Sequence, residues 1–98
     1  MDRATQEHTL KQRYLEVTFR NGKAIAAYLY LPREAGDVSA RTEKRDGGLL
    51  IDFAADGRAI GIELTSPGTL SINALNRALA DVNQESASRD ELAPLLAA

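Results

Sequence analysis

From Leu15 the chain alternates, with Leu15, Val17 and Phe19 against Glu16, Thr18 and Arg20, the period-2 signature of a strand with one buried face. Asn21-Gly22 then interrupts it. That dipeptide suits a type I′ turn, whose central residues both need positive φ, so a hairpin is predicted with a return strand over residues 23–31. A two-residue turn carried without interruption sets Phe19 opposite Ala24, Val17 opposite Ala26 and Leu15 opposite Tyr28. Ile25, Ala27 and Leu29 then share the other side with Tyr14, Glu16 and Thr18. The return strand is apolar on both faces, as expected of a central or interface strand.

Pro32 closes that strand, and a polar stretch follows, broken by Gly36, Gly47 and Gly48. Within it residues 38–45 read as an edge strand, with Val38, Ala40 and Thr42 on its weakly apolar side and Ser39, Arg41, Glu43 and Arg45 facing away. Leu49 to Leu64 forms a second hairpin around Asp56-Gly57, read as another type I′ turn with positive φ at both residues. Its register opposes Phe53 to Ile60, Ile51 to Ile62 and Leu49 to Leu64 on one face. Asp52 meets Gly61 and Leu50 meets Glu63 on the other. A slip of one residue would bury both carboxylates, which supports this pairing.

After Ser66-Pro67-Gly68 the apolar positions change period, recurring as Ile72, Leu75, Ala78, Leu79 and Val82, one stripe of a helix. Asn73, Asn76, Arg77 and Asp81 form its polar side, and Thr69 or Ser71 can cap it. Ser88-Arg89-Asp90-Glu91 has capping-box spacing and starts a short helical turn that Pro94 limits. The expected fold is α+β: an antiparallel sheet of two hairpins plus an edge strand, with one C-terminal amphipathic helix packed on one face. Residues 1–9 read as a disordered tail, 10–83 as the domain, and 84–98 as a connector and short helical segment.

At 98 residues one core must supply the stability, and with 44% apolar but 5% aromatic residues it is built mainly from Leu, Ile, Val and Ala. The absence of cysteine excludes disulfides, thiolate metal sites and thiol nucleophiles. Neither a spanning apolar run nor a signal-peptide pattern is found, so cytoplasmic residence is expected without membrane association. Twelve basic residues against 14 acidic ones give a net charge of -2, which offers no field for nucleic acid.

The second hairpin, Ile51-Asp52-Phe53 through Asp56-Gly57 to Gly61-Ile62-Glu63-Leu64, resembles the domain of unknown function 2283 family of small bacterial proteins. Ala27-Tyr28-Leu29-Tyr30-Leu31 is similar to that family's other strand, so the resemblance spans about Tyr14 to Leu64. Ile25 and Ala54 stand where the family often carries Asp, which thins any acidic cluster. What the resemblance implies is a small β-rich fold and no established activity.

Asp52 and Glu63, diagonal neighbours beside Gly61, are the candidate metal ligands or general-base pair. Two carboxylates without a third acid or a histidine are too few for an adopted metal site, and a solvated sheet face whose Gly61 notch admits a neighbouring chain is the simpler reading. His8 is the only histidine and sits in the tail, so triads and paired-imidazole sites are excluded. Ser66, Ser71, Ser86 and Ser88 occupy turn and cap positions. Tyr14 is placed on the face opposite Tyr28 and Tyr30, with Arg13 across from Tyr30. Arg41, Lys44 and Arg45 form a basic cluster that Glu43 and Asp46 interrupt, the mark of a solvated edge.

No catalytic residues and no cofactor are expected. The favoured reading is a non-enzymatic protein-interaction module, self-associating, in the manner of a small regulator or antitoxin-like protein. Its predicted homodimer interface is an apolar patch of Tyr14, Ile25, Leu29, Leu31 and Leu50, with a protein partner as a further occupant. The alternative is a weak divalent-metal-dependent enzyme or small-ligand binder using Asp52 and Glu63.

Overall fold

A computed structural model describes residues 12–96, so the expected tail over residues 1–9 and His8 lie outside the described residues. The strands are β1 (Tyr14–Arg20), β2 (Lys23–Tyr30), β3 (Arg41–Arg45), β4 (Leu49–Phe53) and β5 (Ala59–Leu64). A 3-10 turn, Pro67–Thr69, leads to helix α1 (Ile72–Asp81), and the short α2 (Ala93–Leu96) follows. All pairings are antiparallel in the order β1-β2-β5-β4-β3, so the chain is mixed α+β and mostly sheet. Among the described residues no helix is long and apolar enough to cross a membrane.

The core follows from the alternation. Leu29, Leu49, Ile51, Ile62 and Leu64 are buried in one cluster with Leu75, Ala78 and Leu79 of α1 and with Leu92 and Leu95 from the C-terminal segment. Ser71 caps α1 by accepting the Ala74 amide at 3.1 Å, and Ser88 accepts that of Glu91 at 3.1 Å. Arg13 ties this C-terminal segment to the start of β1. It forks onto both Glu91 carboxylate oxygens at 3.0 and 2.8 Å and donates to the Glu85 carbonyl at 2.6 Å and the Ser86 carbonyl at 3.2 Å. Arg13 therefore does not sit across from Tyr30, where the alternation had placed it; Tyr14 does.

The first hairpin departs from its expected register. Asn21 and Gly22 have φ of 51° and 78°, as a type I′ turn requires, and Phe19 does oppose Ala24. Ile25 is then an extra residue, a bulge, and beyond it Thr18 opposes Ala26, Val17 opposes Ala27 and Leu15 opposes Leu29. The uninterrupted register would have put the Tyr28 phenol beneath α1 and left Leu29 outside; one inserted residue exchanges the two. Hence Leu29 and Leu31, assigned by sequence to a dimer patch, are fully buried in the core. Of that patch, Tyr14 and Ile25 are exposed and Leu50 is half-buried.

The second hairpin reaches its expected register by another route. Its loop is three residues, Ala55-Asp56-Gly57: the Gly57 amide donates to the Ala54 carbonyl at 3.0 Å and the Ala54 amide to the Arg58 carbonyl at 2.8 Å. Only Gly57, at φ 96°, is left-handed, so the type I′ assignment is corrected to a turn closed by one left-handed residue. Phe53 consequently opposes Ala59 rather than Ile60, and a bulge at Ile60 restores Asp52 to Gly61, Ile51 to Ile62 and Leu49 to Leu64.

The edge strand is shorter than expected, and its sides are reversed. Arg41, Glu43 and Arg45 oppose Phe53, Ile51 and Leu49 and so share the helix-covered face. There Arg41 lies over the Phe53 ring at 4.1 Å and Arg45 bonds Asp81 of α1 at 2.7 Å. Thr42 and Lys44 face the open side, while Val38 is 72% exposed.

Candidate functional site

The face of the sheet that no described helix covers carries two complete cross-strand rows. Tyr14, Tyr30, Gly61, Asp52 and Thr42 form the first, one residue from each of β1, β2, β5, β4 and β3. Glu16, Tyr28, Glu63, Leu50 and Lys44 form the second. Both rows exist because of the Ile25 bulge, which turns Tyr28 and Tyr30 outward. The three tyrosines thus share one face, correcting the expectation that Tyr14 lies opposite the others.

Their rings are in contact. Tyr14 and Tyr30 stack with centroids 4.6 Å apart and planes 11° from parallel, and Tyr28 meets Tyr30 edge-on at 4.7 Å. Tyr28 also leans across Gly61. A Cβ placed there would lie 2.0 Å from the Tyr28 hydroxyl, so the notch expected beside Asp52 is filled from within the chain. The hydroxyl donates to Asp52 Oδ2 at 2.7 Å, and Thr42 Oγ1 donates to Oδ1 at 2.6 Å. Both carboxylate oxygens are therefore engaged by neutral donors.

Arg33 completes the cluster and was not singled out by sequence. Following Pro32 it has no period to place it, and only its position directly after a tyrosine-bearing strand pointed to it. One terminal nitrogen donates to the Ile60 carbonyl at 2.5 Å, and the guanidinium lies 5.2 Å from the Tyr30 ring centre. Its Nε is buried without a hydrogen-bond partner. Glu16, Tyr28, Tyr30, Arg33 and Asp52 together line a shallow, open depression.

Electrostatics define what these groups can do. Burial first, then the Asp52 hydrogen bond and charge, push the Tyr28 phenol well above its ordinary range, against a smaller opposing pull from Arg33. Burial and the Glu16 carboxylate raise Tyr30 likewise. Both phenols stay in the neutral, hydrogen-bonding form at physiological pH. Among the described residues no group of three His, Cys, Asp or Glu side chains could hold a metal ion, and Glu63 makes no hydrogen bond to Asp52.

No family model matches the chain, and neither a curated protein nor a solved structure shows significant similarity to it.

Proposed function

We propose that the protein is a non-enzymatic interaction module whose open sheet face docks a basic segment of a protein partner. The observation that carries this reading is the pair of cross-strand rows, which sets three tyrosines among three carboxylates, Glu16, Asp52 and Glu63, and one lysine, Lys44, on a face that no described helix covers. Stacked tyrosines provide rigid amphipathic surface at low entropic cost, and such aromatic groups dominate binding energy at protein interfaces. Interleaved carboxylates favour lysine and arginine in the occupant, with cation–π contact to the rings. Against the metal-dependent alternative stands Asp52, whose oxygens both already accept hydroxyls.

The test is binding of the full chain to an array of peptides graded in arginine and lysine content. Basic peptides should bind, more weakly as salt rises, and Tyr30→Ala or Glu63→Lys should weaken them by about tenfold, while Asn73→Ala on the far side of α1 changes nothing. Equal binding of basic and acidic peptides, or insensitivity to both face variants, would overturn the reading.

A further inference from the structure

The two edges of the sheet are not alike. β3 is five residues, Arg41-Thr42-Glu43-Lys44-Arg45, a short and charged edge of the kind that discourages further pairing. β1 is seven residues, Tyr-Leu-Glu-Val-Thr-Phe-Arg, without proline and without a bulge in its own chain. Its outer side has no backbone partner among the described residues. Of the five large apolar side chains exposed among those residues, four lie on β1 or on the elements beside it. Tyr14 and Phe19 belong to β1, Ile25 to the neighbouring β2, and Leu96 to α2, which packs against β1.

The charges there are also incomplete. Arg20 lies directly opposite Lys23 across the hairpin, a like-charged pair, and neither has a carboxylate partner among the described residues. Glu16, four residues before Arg20 on the same face, accepts one side-chain hydrogen bond among the described residues, from the Tyr30 hydroxyl at 3.3 Å. An acid and a base four residues apart on one strand suit antiparallel pairing about a two-fold axis at the residue midway between them, Thr18.

We infer that β1 pairs with β1 of a second copy of this chain, antiparallel and centred on Thr18, joining the two sheets into one. Every opposed pair is then a favourable one: Glu16 meets Arg20 twice, Val17 meets Phe19 twice, and Thr18 meets Thr18 on the axis. Pairing about Val17 instead would set Glu16 against Thr18 and leave Arg20 without an opposed acid. Backbone direction agrees with the Thr18 axis. The two-residue turn makes Arg20 and Lys23 the closing hydrogen-bonded pair, so Arg20, Thr18 and Glu16 aim their amides at β2. Val17 and Phe19 aim theirs outward and would form the new ladder. The interface is isologous and closed, which halts growth at two copies.

The location of the axis makes the inference testable with a chain that has no native cysteine. Thr18 would face its own copy at a non-hydrogen-bonded position, with Cα atoms about 4.5 Å apart, within disulfide range. Thr18→Cys should therefore oxidise to a covalent dimer, whereas Lys44→Cys on the opposite edge should not. In sedimentation the parent should run near twice 10.6 kDa. Glu16→Arg and Arg20→Glu singly should each weaken the dimer at least about tenfold, and together should restore it. A monomeric parent at hundreds of micromolar, or cross-linking of Thr18→Cys no faster than of Lys44→Cys, would overturn the inference. Circular dichroism matching the parent separates lost pairing from lost folding in each variant.

Discussion

The phenol of Tyr28 occupies the space a side chain at Gly61 would need, and from there it reaches the Asp52 carboxylate at 2.7 Å. The two residues are coupled, because any Cβ at Gly61 must evict the ring. Tyr28→Phe should cost about 1.5–3 kcal/mol in the parent, the ordinary worth of a hydrogen bond to a carboxylate. In a Gly61→Ala background the same change should cost nearly nothing. Urea unfolding of the four species gives the coupling directly, and additivity would show that the ring accommodates the methyl in place.

The raised phenols make stability depend on alkaline pH. Since the folded chain holds the Tyr28 proton where the unfolded chain releases it, above about pH 10, the native state binds more protons there and stability falls as pH rises. Below that pH the contribution is fully present. Tyr30 acts in the same sense. Urea midpoints measured between about pH 9 and pH 11 should decline more steeply for the parent than for Tyr28→Phe; parallel curves would deny Tyr28 this role.

The two hairpin turns should respond differently to substitution at their left-handed positions. Gly57, at φ 96°, is the one left-handed residue of its loop, so Gly57→Ala should cost about 1–2 kcal/mol. Asn21, at φ 51°, already accepts a left-handed conformation, and Asn21→Gly should be close to neutral. Thermal melts of both variants check the contrast.

Arg13 holds the C-terminal segment by a fork that lysine cannot reproduce. With side-chain exposures of 12% and 20%, the Arg13 and Glu91 pair is largely withdrawn from water, and Arg13→Lys should cost about 1–3 kcal/mol. Hydrogen exchange locates the effect: the Leu92 and Leu95 amides should lose protection before those of Ile51 and Ile62. Uniform loss across all four would mean that the segment opens only with the whole domain.

What could be read in the sequence depended on where alternation was unambiguous. Asp52 between Ile51 and Phe53, and Glu63 between Ile62 and Leu64, set the phase of both strands, and the pairing of Leu49, Ile51, Ile62 and Leu64 is legible whatever the loop beside them does, because burial fixes the phase more firmly than the turn. From Ala24 to Leu31 nearly every position is apolar, so period 2 gives no phase, and a register propagated from Asn21-Gly22 alone ran through the Ile25 bulge unnoticed. The open face inherits this. Asp52 opposite Gly61 was legible, but the tyrosine that covers them was one residue out of place, and Arg33 had no pattern at all.

The strand order has a kinetic meaning as well. β1 with β2, and β3 through β5, are pairings between sequence neighbours, each closable on its own across a short connection. Only the seam where Ala27 to Tyr30 meets Gly61 to Leu64 joins distant parts of the chain. Closing that seam carries the loop entropy of the fold, since neither hairpin owns enough apolar area to persist alone. The meeting of the two ribbons is the expected rate-limiting event, so truncating Leu29 or Ile62, opposed across the seam, should slow folding rather than only speed unfolding.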